Sequence, residues 1–289
     1  MPELPEVEVV KRSLTNKIQK LIVKSISVKD GNLRYRINKN KLKILEGLKI
    51  IKILRRSKFL LFIFEKNIVM MVHLGMTGKF FFINEKKIMH KTSFYYNLDK
   101  TKNSKHNRLI FLLSRKRKLI YNDVRKFGFI KVLEKKQLKD NLHLKNLGPE
   151  PLDRTFNFKY FKKYLINRNR KIKTILMDQK FVSGLGNIYA NEVLFLSKIK
   201  PTKKTHLIND RDIHRIIGNT KKTLKKAISL GGSSLKDFSS SDGKKGEFQQ
   251  YFYVYGRLGE NCLNKKCNKK IIKTLIGNRT AFYCPKCQK

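Results

Sequence analysis

The chain begins Met1-Pro2-Glu3-Leu4-Pro5-Glu6-Val7-Glu8. Loss of Met1 ahead of this small residue leaves Pro2 as the terminus, with a secondary amine for its nitrogen. An α-amino group titrates near roughly 8 and a lysine near roughly 10.4. Part of such an amine is therefore unprotonated at neutral pH and can act as a nucleophile. Attack on a sugar C1′ gives an iminium, a covalent Schiff base. Glu3 stands beside it and can move the protons, and Glu6 and Glu8 read as further carboxylates gathered around a proton-passing amine. The competing reading is structural, because Pro and Glu both suit the first turn of a helix.

A second group lies at the other end. All four cysteines, Cys262-x4-Cys267 and Cys284-x2-Cys287, fall in the last 28 residues with 16 residues between the pairs. Two close thiolate pairs match tetrahedral zinc, one structural Zn2+ with no open position. Residues 269–283 then form a β-hairpin too small to fold without the metal. Arg279 lies near its tip, where spacing alone reads it as one more surface cation.

The elements that must carry these groups differ along the chain. Glu6–Lys20 has helical spacing. Short β-type runs follow up to about residue 134, including FLLFIF, IVMMVHL and RLIFLL, and they predict an antiparallel sandwich or barrel. Residues 86–105 read as a polar loop insertion. LGPEPL at 147–152 is a Pro/Gly hinge. Helices are expected in FNFKYFKKYLINR, IKTILMDQKFV, NIYANEVLFLSKI and DIHRIIGNTKKTLKKAISL. A long Gly/Ser segment at 231–246 follows, then strands around YFYVYG. The expected class is α+β: residues 1–134 a β-sandwich, 135–155 a hinge, 156–251 a helical domain, and 252–289 a four-cysteine zinc finger.

The balance of 67 Lys+Arg against 21 Asp+Glu gives a formal charge of +46. Lys, Ile and Asn are over-used, as an AT-rich genome would impose, so part of the excess is compositional. The remainder calls for an anionic partner, nucleic-acid phosphate above all. The head of the chain is acidic, with neither a positive n-region nor an apolar h-region, unlike a secretory or transit signal. Apolar runs fall well short of a membrane span. A cytoplasmic protein without disulfides is expected.

MPELPEVE closely resembles the amino terminus of the formamidopyrimidine-DNA glycosylase family. The resemblance continues through RRSKFLL (55–61), HLGMTGKF (73–80), KHNR (105–108), NDVRKFG (122–128), LGPEPL, LMDQKFVSGLGNIYANE (176–192), GGSSLKDF, SDGKKGEF, VYGR (254–257) and RTAFYCPKCQK at the end. Ordered motifs across the whole length are more specific than any one of them; SGLGN alone is a weak phosphate-loop signal. The resemblance implies a bifunctional glycosylase and abasic-site lyase of base excision repair, acting as a monomer on double-stranded DNA that contains oxidised purines or abasic sites. It implies Pro2 as Schiff-base nucleophile, Glu3 as proton donor for base loss, Lys58 as an aid to β-elimination and Arg279 as phosphate holder for δ-elimination. His73 and Asn187 would hold phosphates, and His106, Arg125 and Arg168 would make further DNA contacts. Met76, Arg125 and Phe127 would fill the hole left by a flipped nucleotide. SGLGNIYANE would belong to a helix–two-turn–helix, and 231–246 would cover the extruded base.

Three departures stand out. The first zinc pair is Cys-x4-Cys, where the family has Cys-x2-Cys. Asp123-Val124-Arg125-Lys126-Phe127 replaces Asp-Pro-Arg-Arg-Phe, so Lys126 keeps the charge and loses the planar fork. Residues 86–104 are inserted. Two rival readings remain: an endonuclease VIII-like glycosylase for oxidised pyrimidines, and a non-catalytic zinc-ribbon nucleic-acid binder.

Overall fold

A computed structural model describes residues 1–91, 104–233 and 248–289. Most of the expected loop insertion (92–103) and most of the Gly/Ser segment (234–246) lie outside the described residues. The chain divides into two compact units, Met1–Lys145 with Leu230–Glu247, and Asn146–Ser229 with Phe248–Lys289.

The first unit opens with α1 (Leu4–Ile18), followed by β1 (Val23–Val28), the short α2 (Lys39–Lys43), β2 (Ile50–Arg56), β3 (Phe59–Phe64), β4 (Ile68–His73) and β5 (Lys79–Ile83). β6 (Met89–Lys91), β7 (Asn107–Leu113), β8 (Arg117–Asn122) and β9 (Phe129–Glu134) complete it. The strands form two antiparallel sheets, ordered β1-β7-β8-β5-β6 and β2-β3-β4-β9. Both sheets feed one apolar core: Phe62 of β3 meets Phe80 of β5 at 5.6 Å between rings, and Phe111 of β7 joins them. α1 adds Leu14 and Ile18 to that core and packs on β2 and β3. FLLFIF is therefore buried nearly throughout instead of alternating. Burial of this much apolar surface is the dominant stabilising contribution.

The second unit holds α3 (Phe158–Leu165), α4 (Ile172–Met177), α5 (Asn187–Leu196), α6 (Asp210–Ser229), and a hairpin of β10 (Ile272–Ile276) and β11 (Arg279–Tyr283). The α+β class, with a sheet unit first and a helical unit with a two-stranded finger second, is the one expected. No helix among the described residues is long and apolar enough to cross a membrane.

Two local expectations are corrected. The helix expected through IKTILMDQKFV stops at Met177, because Gln179 turns back on the chain. Its carboxamide donates to Met177 O (3.0 Å) and Leu185 O (2.7 Å) and accepts from Gly184 N (2.8 Å). The result is two turns between α4 and α5. YFYVYG forms no strands: Phe248–Tyr251 is a 3₁₀ turn, and the N–H groups of Tyr253, Val254 and Tyr255 all point to the Glu192 carboxylate, at 2.8, 3.0 and 2.8 Å. The Gly/Ser segment begins with a contact to α1. Ser233 donates from N (2.9 Å) and Oγ (3.0 Å) to Glu6 Oε1.

Candidate functional site

Pro2 and Glu3 are buried at the start of α1. The Glu3 N–H donates to Glu6 Oε2 at 2.8 Å, in the manner of a capping box. The three carboxylates at the head of the chain are not equivalent. Glu6, 2% exposed, clamps Glu3 with one oxygen and Ser233 with the other. Gly232 makes this approach possible: its φ is +82°, and a Cβ there would stand 3.1 Å from Glu6 Oε1. Glu8 faces Lys11, Arg12 and Arg55 at 2.9, 3.0 and 3.0 Å. Burial pushes its carboxyl up, but hydrogen bonds from those three cations outweigh that and hold it below its ordinary value. Glu6 and Glu8, gathered with Glu3 at the head of the chain, are thus held in structural contacts.

Lys58 occupies the turn between β2 and β3 and is buried. Ser57 before it has φ +55°, a left-handed backbone unusual for a residue other than glycine. Arg55 Nη1 donates to Ser57 O at 2.9 Å and so holds the turn.

His73 ends β4, packed against Phe59 (5.0 Å) and stacked on Phe129 (5.5 Å). Burial first, then Lys58, Arg34 and His143, push its pKa down to about 4. It is a neutral imidazole at physiological pH. Its Nδ1 accepts from Gly75 N at 3.1 Å, which leaves the proton on Nε2.

His73, Met76, Arg125 and Phe127 line one cavity of about 680 Å3, with Met1 on the same wall. The Arg125 guanidinium lies 4.7 Å from the Phe127 ring, and Phe127 is 45% exposed. A large ring left in water beside a cation is informative. Asp123, fully buried, fixes both turns that carry these side chains. It accepts from Thr77 Oγ1 and from Gly128 N (2.8 Å), and Thr77 Oγ1 accepts from Arg125 N (3.0 Å). Gly75 (φ +62°) admits the close approach: a Cβ there would come within 2.4 Å of Gly128 N. Lys126, the departure from the family pattern, pairs with Asp30 at 2.9 Å.

His106 stands outside that cavity wall. It precedes β7, with its carbonyl accepting from Asp123 N at 3.1 Å. Burial, then Arg108, Lys105 and Lys79, lower its pKa.

In the second unit Asn187 is the first residue of α5, and its buried Oδ1 has no partner. Exposed Arg168 lies 4.0 Å over the Tyr164 ring and donates to Tyr164 O at 2.6 Å. Exposed Arg279 begins β11, beside the hairpin turn. Three residues that sequence reading did not single out hold that hairpin. The Phe282 N–H donates to Asn191 Oδ1 (2.9 Å), Lys173 Nζ donates to Thr280 O (2.7 Å), and Glu192 gathers the three N–H groups before the finger. Lys173, Asn191 and Glu192 are polar residues within apolar helical runs and essentially inaccessible; polarity on a buried face was the signal available.

The four cysteine Sγ atoms lie within 4.8 Å of one another, with Cys262–Cys287 at 3.8 Å and Cys267–Cys284 at 3.6 Å. Tetrahedral zinc with bonds of about 2.3 Å separates its sulfurs by roughly 3.8 Å. The residues fit one structural zinc, and the x4 spacing of the first pair still brings both sulfurs to it.

Residues 1–130 match the formamidopyrimidine-DNA glycosylase N-terminal domain, and residues 147–239 match the formamidopyrimidine-DNA glycosylase H2TH domain. The chain is 41% identical over 289 residues to a formamidopyrimidine-DNA glycosylase of Rickettsia bellii, with both chains fully covered. It is 40% identical to one of Rickettsia felis over 288 residues, covering 100% of this chain and 98% of that one. A crystal structure of Lactococcus lactis Fpg with abasic-site DNA superposes with a TM-score of 0.83 at 35% identity, covering 99% of each chain.

Proposed function

The chain belongs to the formamidopyrimidine-DNA glycosylase family, and from that premise we propose that it excises oxidised purines from double-stranded DNA and then cuts the strand at the abasic site. The observation that carries the reading is the head of the chain. Pro2 is buried at the N-terminal end of α1 and faces no free carboxylate from Glu6 or Glu8, since both are committed elsewhere. Once Met1 is removed, the Pro2 nitrogen sits at the positive end of the helix, which disfavours a further positive charge there.

The chemistry follows in order. The Pro2 nitrogen attacks C1′, the glycosidic bond breaks, and the base leaves with a proton supplied by Glu3. The amine proton is lost, C1′–O4′ breaks with a proton delivered to O4′, and the sugar ring opens to the iminium; this acidifies the C2′ hydrogen, whose removal expels the 3′ phosphate, and a second elimination expels the 5′ phosphate. Lys58 assists the first elimination and Arg279 the second. Neutral His73 offers Nε2–H to a phosphate. Asn187, the first residue of α5, offers its carboxamide N–H to another. Met76, Arg125 and Phe127 occupy the space vacated by the flipped nucleotide. One zinc on the four cysteines gives the Arg279 hairpin its shape.

Glu3→Gln tests the division of labour. It should lose excision on an 8-oxoguanine duplex and keep part of the cleavage at a preformed abasic site. Equal loss on both substrates would make Glu3 structural. Wild-type preference for a thymine-glycol duplex over the 8-oxoguanine duplex would favour the pyrimidine-specific rival.

A further inference from the structure

A cavity of about 400 Å3 lies at the cysteine end of the finger, in the second unit. Six cations line it: Lys198, Lys203, Arg215, Lys266, Lys286 and Lys289. At 67 cations in 289 residues, the nine lining residues would hold about two if drawn at random. A compositional lysine bias scatters cations over a surface; mutual repulsion acts against gathering them in a hollow. This hollow is also built. Asp212, 1% exposed, holds Lys203 at 2.8 Å and Arg215 at 2.5 Å. The last residue is stitched to the segment after α5 by Lys289 N to Lys198 O (3.2 Å) and Lys200 N to Lys289 O (2.9 Å). Gln288 Nε2 adds a bond to Ile199 O at 2.9 Å.

The charge in it is not balanced by the protein. Among the described residues Lys198, Lys266, Lys286 and Lys289 pair with no carboxylate, and Arg215 Nε is buried with no partner. A four-thiolate zinc would contribute a formal −2 and Asp212 contributes −1, which leaves an excess of roughly +3 on the six cations of the cavity. The site is not the tip that carries Arg279. Five residue steps of extended chain lead from Arg279 to Cys284, or roughly 17 Å.

We propose that this cavity is a second phosphate-binding site, which grips the backbone of duplex DNA away from the lesion. The proposal rests on the DNA-glycosylase reading above. Lysine ammoniums are point charges that hold phosphate without reading bases. Several of them side by side suit a run of backbone phosphates better than one small anion. The contact would add affinity for any sequence and hold the enzyme on undamaged duplex while it searches.

The test is the triple variant Lys198→Gln/Lys286→Gln/Lys289→Gln, with zinc content measured to show that the finger is intact. Affinity for a 30-base-pair undamaged duplex is measured from 50 to 300 mM salt. Each phosphate contact contributes about 0.9 to the slope of log K against log salt, so the slope should fall by about two. Single-turnover incision of a short lesion duplex at saturating enzyme should stay at the wild-type rate. A control, Lys39→Gln/Lys41→Gln/Lys43→Gln on exposed α2, removes the same charge elsewhere and should leave the slope within one unit of wild type.

An unchanged slope in the first triple overturns the proposal, as does an equal fall in the control. Loss of single-turnover incision also overturns it, by assigning these lysines to the chemistry. Calorimetric binding of inorganic pyrophosphate that the triple abolishes, with the DNA slope unchanged, would mark a small-anion site instead. Failure of the glycosylase reading shows separately, as wild-type protein that incises no lesion.

Discussion

Glu3, Glu6 and Glu8 stand within six residues of each other, and their surroundings divide their work. Glu8 is bound by three cations and Glu6 by two backbone N–H groups and a hydroxyl, while Glu3 caps α1 beside Pro2. The sequence shows a cluster of carboxylates; which of them is committed depends on Arg55 and Ser233, partners 47 and 227 residues away. His73 gives a measurable consequence of burial. Its folded pKa of about 4 lies below the ordinary 6.5, so the unfolded chain takes up the proton first as pH falls. Stability contributed by neutral His73 is complete above about 6.5 and is lost as pH drops toward 4. The full loss is about 3 kcal/mol. Urea midpoints of the wild type should fall over that window, and His73→Asn should flatten most of the fall. Any loss tied to Glu8 lies lower, below its ordinary 4.5, because its pKa is depressed. A variant whose stability falls as steeply as wild type between pH 6.5 and 4 would contradict the assignment.

At the scale of elements, α5 acts as the frame of the finger. Its first residue is Asn187, and Asn191 and Glu192 tie down β11 and the approach to the finger. The regular helices and the clustering of the four cysteines were legible, because apolar periodicity and cysteine spacing are local signals. YFYVYG was misread for an equally local reason: alternating aromatics imitate a strand. Its N–H groups instead meet a carboxylate about 60 residues earlier, and no window of sequence contains both. Glu192→Ala leaves those three donors buried without an acceptor, at about 1–3 kcal/mol each. It should destabilise the second unit by more than about 3 kcal/mol and weaken duplex binding while retaining about one zinc; Glu192→Gln, which keeps an acceptor oxygen, should be milder. Cys284→Ser should lose the zinc and the binding together. Metal analysis with gel-shift titration separates the two. Normal duplex binding by Glu192→Ala would show that α5 does not position the finger.

Across the whole molecule, the class and the order of the two units were legible because strand-rich and helix-rich stretches are segregated along the chain. The contact of Gly232 and Ser233 with Glu6 was not, since it depends on one buried carboxylate and the glycine that lets it approach. The +46 charge gives the direction of the partner and no more. What distinguishes an enzyme from a basic zinc-finger binder is a covalent bond at the first residue after Met1. Borohydride reduction of the protein mixed with an 8-oxoguanine duplex, followed by peptide mapping of the cross-link, measures that bond directly. The account predicts one DNA adduct on the Pro2 nitrogen, and its loss when an extra residue precedes Pro2 while duplex affinity stays within about threefold of wild type. Trapping at wild-type yield by the extended protein, or an adduct mapped to Lys58 or another lysine, would contradict it.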